Sequence, residues 1–346
     1  MVNYVWFPHV RYCGSKLALS EWIRYVITNR IDTRKQEGLA YLEPFAGTGI
    51  MLATVRNDFQ DIVANDIEPY AYVFSKYAVT GINDIDYPAI EAFLSKLNSK
   101  VDEESVAYKG RLWANENHGA FFAENNRSRI DWYTDQISAC ESLSYNDKIV
   151  LFGLLLVAAD KAACNTGKFT KPIKRELESA KKRKPVYLPY PSYEFFRMRR
   201  PDLESKVFCG DALALLRTIP TESFDVIYSD PPYQSLSLYR RVYSVYNTIV
   251  SNLVPSEYQL DDTPPTPRNK LAYIEEYIKE TLRIKRKGGV SVFSYSDEGS
   301  YLKEIDSMLR DLGAQRLEKQ HSRYTAHPEY SKIRSRTAVY EYLYLL

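Results

Sequence analysis

The segment from Leu39 to Asp66 restricts the possible fold more than any other. A short apolar run, Leu39 to Leu42, enters Glu43-Pro44-Phe45-Ala46-Gly47-Thr48-Gly49. A helical pattern resumes from Ile50 to Arg56, and a second apolar run, Asp61 to Ala64, closes on Asn65-Asp66. Strand, glycine-rich turn, helix and strand in that order open a doubly wound α/β sheet. Small residues at the turn let the backbone approach a ligand, and the helix N-terminus behind them offers N–H donors with a positive dipole end. Two glycines equally suit a tight turn that binds nothing. Asp66 stands where such folds present a carboxylate to the ribose of a nucleotide-like cofactor; a helix-capping Asp is the other reading.

Helical periodicity covers Leu17 to Asn29, and strand–helix alternation is interrupted from about Pro69 to Ala163. There the spacing predicts helices near 69–80, 87–100, 128–141 and 146–163. Alternation resumes with a strand from Lys206 to Cys209 that ends in Gly210-Asp211, and a helix from Ala212 to Arg217. An apolar strand, Phe224 to Ser229, then runs into Asp230-Pro231-Pro232-Tyr233. A second irregular region carries Pro255, Pro264, Pro265 and Pro267. After it come a helix near 271–286, a strand from Val290 to Tyr295, a helix near 298–312, and strands near 314–324 and 337–345. The sheet is thus drawn from both ends of the chain. Residues 1–75 and 201–346 read as two parts of one α/β unit, and residues 76–200 as a helical and basic insertion.

Asp230 to Tyr233 is the most specific chemical signal. Two prolines straight after a strand remove backbone donors and stiffen the turn. The Asp230 carboxylate and the Pro231 carbonyl are left as acceptors, which suits an exocyclic NH2 with two hydrogens to donate. Tyr233 adds a flat face on which a base can stack. For Asp211 two readings stay open, a contact to the amino group of a cofactor's adenine and an N-cap for the helix starting at Ala212.

Composition excludes several classes. The 346 residues carry a net charge of only +2, so the chain is no polycation. Charge is concentrated between Lys168 and Arg200, where eleven Lys or Arg face three Glu, interleaved with Phe169, Tyr187, Tyr190, Tyr193, Phe195 and Phe196. A solvated charged face is the bland account of that run. The four cysteines, Cys13, Cys140, Cys164 and Cys209, form no C-x-x-C and accompany no His cluster, so neither a metal site nor a disulfide framework is expected. The longest apolar run, Ile149 to Ala159, spans eleven residues, too few to cross a bilayer. With no secretory signal at the start, a cytoplasmic, membrane-free protein is the expectation.

Together these residues resemble the D12 class of N6-adenine DNA methyltransferases, the Dam-like family, and within it modification enzymes of the FokI type. The resemblance covers most of the chain. It is anchored on Arg11-Tyr12-Cys13-Gly14-Ser15-Lys16, Glu43 to Gly49, Asn65-Asp66 and Asp230 to Tyr233. Weaker matches are Phe121 to Asn125 with Ile130-Asp131, Ala158 to Lys161, and Phe293 to Ser296. Two departures stand out: Cys13 after the aromatic, and Gln234-Ser235-Leu236 after Tyr233.

The resemblance implies a class I S-adenosylmethionine-dependent methyltransferase fold, a Rossmann-like mixed sheet with a helical insertion. It implies contacts to S-adenosyl-L-methionine from Tyr12, Lys16, Glu43, Pro44, Phe45, Ala46, Gly47, Gly49, Asp66, Ile67, Asp211 and Asp230. S-adenosyl-L-homocysteine would be the product. Asp230, Pro231, Pro232 and Tyr233 would hold a flipped-out adenine of double-stranded DNA. DNA contacts would come from Arg127, Lys168, Lys171, Lys174, Arg175, Lys181, Lys182, Arg183 and Lys184 in the insertion, and from Lys332 and Arg334 in the last loop. A monomer is expected, working beside a cognate restriction endonuclease. The rival readings are an enzyme acting on another NH2, such as cytosine N4 or a base in RNA, and a DNA-binding relative without catalysis. A nicotinamide enzyme is disfavoured, since Gly47-Thr48-Gly49 lacks the third glycine of that fingerprint.

Overall fold

The computed structural model describes residues 7–12, 14–31, 38–165, 167–174, 178–179, 184–233, 236–260, 270–322 and 338–346. Seven strands form one sheet: β1 (Ala40–Glu43), β2 (Asp61–Asp66), β3 (Glu204–Cys209), β4 (Phe224–Ser229), β5 (Lys285–Ser296), β6 (Gln315–Ser322) and β7 (Ala338–Leu345). Their order is β3-β2-β1-β4-β5-β7-β6. The first five run parallel, and β7 lies antiparallel between β5 and β6. This is the mixed, doubly wound sheet expected from the sequence. The chain moves outward from β1 to β3 and returns to place β4 on the other side of β1. The direction of winding therefore reverses between β1 and β4, where α/β sheets open a crevice at their carboxyl ends.

Every residue of β1 and β4 is buried, as in parallel strands covered on both faces. Tyr41, Val226 and Tyr228 point into one apolar cluster, and Ala40, Leu42 and Ile227 into the other, following the period of two along a strand. On the first face lie helices Pro69–Val79, Tyr87–Glu104, Glu124–Ala139, Tyr145–Ala162 and Leu236–Ile249. On the second lie Ala212–Thr218, Lys270–Ile284 and Leu302–Asp311. The helices of the expected insertion thus share one apolar cluster with the strands.

Helix Tyr145–Ala162 begins at a capping box, in which Ser144 Oγ accepts from Asp147 N at 3.2 Å and Asp147 Oδ2 accepts from Ser144 N at 2.8 Å. It is buried on nearly all sides, which explains its unbroken apolar run. No helix among the described residues is long and apolar enough to cross a membrane.

Helix Leu236–Ile249 occupies a stretch that reads as irregular from the sequence. Its valines and tyrosines are weak helix formers. Val242, Val245, Tyr246 and Ile249 nevertheless recur at i, i+3, i+4 and i+7, and all four are buried. Packing of that stripe outweighs local propensity. β5 likewise starts at Lys285, within the expected end of the preceding helix, because Lys285 pairs with Phe224 of β4.

Candidate active site

The carboxyl ends of β1, β2, β3 and β4 surround a cleft of about 720 Å³. The glycine turn and the Asp230–Tyr233 turn line the same cleft, so a single cavity joins them. A smaller lobe of about 300 Å³ continues beneath Lys16, bounded by Glu43, Ala46, Thr48 and Asp230.

Gly47 and Gly49 both adopt positive φ, +52° and +70°. A Cβ on Gly49 would approach Phe74 O to 2.9 Å, so Gly49 lets helix Ile50–Val55 pack close to helix Pro69–Val79. Gly49 itself stands behind the cleft wall, whereas Gly47 lines it. The Asp66 carboxylate accepts from Gly47 N at 2.8 Å and from Glu68 N at 3.0 Å. It ties β2 to the glycine turn and does not cap the following helix, whose N-cap is Glu68. Burial raises its pKa to about 7 against those two bonds. Asp211 does cap its helix, accepting from Ala214 N at 2.9 Å, while its second oxygen accepts from the Tyr273 hydroxyl at 2.9 Å. Both oxygens are used, although the residue still lines the cleft. Pro44, Phe45 and Ile67 supply apolar wall.

The Lys16 ammonium meets the partly buried Asp230 carboxylate and the buried Glu341 carboxyl, and the buried Glu43 carboxyl acts on it electrostatically. Lys16 Nζ lies 2.6 Å from Asp230 Oδ2 and 3.8 Å from Glu341 Oε1. It also donates to the Tyr233 hydroxyl at 2.7 Å and to Gly14 O at 3.2 Å. Burial opposes the charge on Lys16, but Asp230 and then Glu341 outweigh it and raise its pKa. Burial lifts Asp230 to about 6 despite the neighbouring Lys16. Burial also holds Glu43 well above the usual carboxylate range, although the Tyr41 hydroxyl donates to it at 3.0 Å. The turn is held from behind by Lys270, whose ammonium donates to Pro232 O and Tyr233 O, each at 3.0 Å. Among the described residues no donor reaches the Pro231 carbonyl.

The segment carrying Tyr12 and Lys16 is fixed by Arg11, whose backbone N and Nε both donate to the Asp160 carboxylate, at 3.0 and 3.1–3.2 Å. Tyr246 adds a third donor to Asp160 at 2.8 Å. Asp160, part of a weak sequence match, therefore anchors the front segment. Asp131, in another weak match, accepts from the backbone of Gly110, Leu112 and Trp113 and holds a surface turn.

Of the candidate DNA contacts, Lys171, Lys174 and Lys184 are exposed and Lys168 is half-buried. Arg127 is engaged, donating to Gly119 O at 3.1 Å and lying 4.5 Å over the Trp113 ring. Arg175, Lys181, Lys182, Arg183, Lys332 and Arg334 lie outside the described residues. Of the interleaved aromatics, Phe169, Phe195 and Phe196 are core, while Tyr187, Tyr190 and Tyr193 are exposed.

Three residues at the site escape the motifs: Lys270, Tyr273 and Glu341. For Glu341 a signal exists. β7 alternates, and Glu341 shares the inward face with Val339 and Leu343. A carboxyl at an inward position of an alternating strand marks a buried polar partner.

A family model described as D12 class N6 adenine-specific DNA methyltransferase matches residues 12–261. Among curated proteins, the chain is 28% identical over 243 residues to Type II methyltransferase M.NlaIII of Neisseria lactamica, covering 69% of each chain. It is 26% identical over 334 residues to Type II methyltransferase M.CviAII of Paramecium bursaria Chlorella virus 1, covering 92% of this chain and 93% of that one.

Proposed function

Because the chain belongs to the D12 class of N6 adenine-specific DNA methyltransferases, we propose that its cleft binds S-adenosylmethionine between the glycine turn, Asp66 and Asp211, and receives adenine at Asp230, Pro231 and Tyr233. The observation that carries this is the single cavity shared by the glycine turn and the Asp230–Tyr233 turn. The cleft suits that cofactor chemically. It has carboxylates at Asp66 and Asp211, apolar wall at Phe45 and Ile67, and room over Gly47, where a Cβ would meet nothing nearer than 3.8 Å.

The cofactor supplies an electrophilic methyl on an already activated sulfonium. The chain's own task is to make a poor nucleophile competent, since the N6 lone pair is conjugated into the adenine ring. Asp230 and the Pro231 carbonyl accept the two N6 hydrogens, which turns the lone pair out of conjugation and stabilises charge developing on nitrogen. Pro231 suits this because no donor among the described residues reaches its carbonyl, whereas Lys270 takes those of Pro232 and Tyr233. The Tyr233 ring offers the base a stacking face worth about 1–3 kcal/mol. Extruding the base costs a few kcal/mol, and phosphate contacts from the exposed lysines of region 76–200 offset it. That region is the target-recognition part of the proposal, set into a catalytic unit formed by 1–75 and 201–346. The Type II methyltransferase names of the relatives support a modification role; the proposal adds a cognate endonuclease beside it and a cytoplasmic monomer as the acting species.

Asp66→Ala should weaken cofactor binding by about 10–100-fold, the loss of hydrogen bonds to a charged acceptor. Isothermal calorimetry with S-adenosylmethionine reads this directly, and an unchanged Kd would remove Asp66 from the binding set. The pH profile carries a second expectation. Asp230 accepts both adenine and Lys16 only when ionised, and its pKa is raised to about 6. Methyl transfer should therefore decline as pH falls through about 6 and level off above it. Rates flat from pH 5 to 8 would contradict that role.

A further inference from the structure

The Tyr233 hydroxyl has one hydrogen and two carboxyl acceptors within reach. Asp230 Oδ1 lies at 3.0 Å and Glu341 Oε1 at 2.7 Å. Lys16 Nζ already donates to the hydroxyl oxygen at 2.7 Å, so the single hydrogen must choose between the carboxyls. Glu341 is the nearer acceptor and is itself held in place. It is buried on β7, and Ser294 Oγ of β5 donates to its Oε1 at 2.6 Å. Strand register sets this up, since Ser294 pairs with Leu343 and Ser296 with Glu341 across the antiparallel β5–β7 ladder.

We infer that Glu341 is a positioning residue that draws the Tyr233 hydroxyl hydrogen to itself, and so keeps Asp230 Oδ1 open to accept from the target amino group. The inference rests on the proposed role of Asp230. Without Glu341 the hydroxyl turns to Asp230, which is then capped by Lys16 on one oxygen and by Tyr233 on the other. The same contact pins the far end of the Tyr233 ring and fixes its stacking face. Glu341 lies beyond residue 261, where the family match ends. The C-terminal β6–β7 hairpin is thus a working part of the site.

The test is steady-state kinetics with tritiated S-adenosylmethionine and adenine-unmethylated genomic DNA. Glu341→Gln keeps the size of the side chain but leaves a neutral amide oxygen to compete with the charged Asp230 carboxylate for the Tyr233 hydrogen, and should lower kcat by about 10–100-fold, as expected for a misdirected bond to a charged acceptor. Cofactor KM should move less than about threefold, since the binding contacts stay in place. In a Tyr233→Phe background, which has no hydroxyl hydrogen to misdirect, Glu341→Gln should produce no further fall in kcat. Ser294→Ala, which loosens Glu341 without touching Tyr233, should lower kcat in the same direction and also be silent in that background. A wild-type kcat in Glu341→Gln, or equal fractional losses in both backgrounds, would overturn the inference. If Asp230→Ala is inactive while Glu341→Gln is fully active, the inference alone fails. If Asp230→Ala keeps its activity, the underlying role of Asp230 fails with it.

Discussion

Asp230→Ala is expected to lower methyl transfer by about 10³-fold or more, the scale on which removing a preorganised polar group at a developing charge is felt. The variant should still fold. Its loss does not strand the buried ammonium, because Lys16 keeps the Tyr233 hydroxyl, the Gly14 carbonyl and the Glu341 carboxyl. Single-turnover rates with excess enzyme, alongside urea unfolding of the same preparation, separate the two effects. Activity within about tenfold of wild type would mean that the NH2 hydrogens are accepted elsewhere, and the proposed chemistry would be wrong.

The second large effect is on stability and comes from the other partner of the same pair. Lys16→Met removes the ammonium that, among the described residues, forms ion pairs with Asp230 and Glu341, and leaves the partly buried Asp230 and the buried Glu341 without it. Breaking a buried pair in this way costs about 3–5 kcal/mol. The pH dependence has a definite sign. Asp230 has a folded pKa near 6, above its ordinary 3.8, and the loss of Lys16 pushes it higher. A raised carboxyl pKa penalises the folded state as pH rises towards that pKa and relieves it as pH falls. The variant should therefore lose most stability against wild type at pH 8, and the gap should narrow at pH 5.5. Equal urea midpoints at pH 8 would show that the pair contributes nothing. The asymmetry with Asp230→Ala follows from the balance of groups, three carboxyls acting on a single cation among the described residues.

Much of this was legible before any coordinates. The sequence leads one to expect a strand at all seven positions, and β1 and β4 are the plainest, because they are buried on both faces and mostly hydrophobic. The glycine turn and Asp230–Tyr233 stand out because rigid, donor-poor or left-handed backbone needs particular residue types. What failed locally has a local cause. Helix Leu236–Ile249 is built from weak helix formers and exists because one stripe of it is buried. For Asp66 and Asp211 the residue type allowed capping or ligand contact. The hydrogen-bond partners show that the first ties the glycine turn and the second caps its helix, while both still line the cleft.

The sequence by itself determined the α/β class, the position of the glycine turn and the acceptor turn, and the family to which the chain belongs. Those depend on residue type and spacing over a few neighbouring positions. Tertiary structure alone decided that Lys16, Asp230, Tyr233 and Glu341 share one hydrogen-bonded cluster at the cleft wall, with Lys16 and Glu341 buried, although residues 16 and 341 lie near opposite ends of the chain. Burial makes that cluster consequential, because charges that water would screen at the surface interact strongly where the protein excludes it.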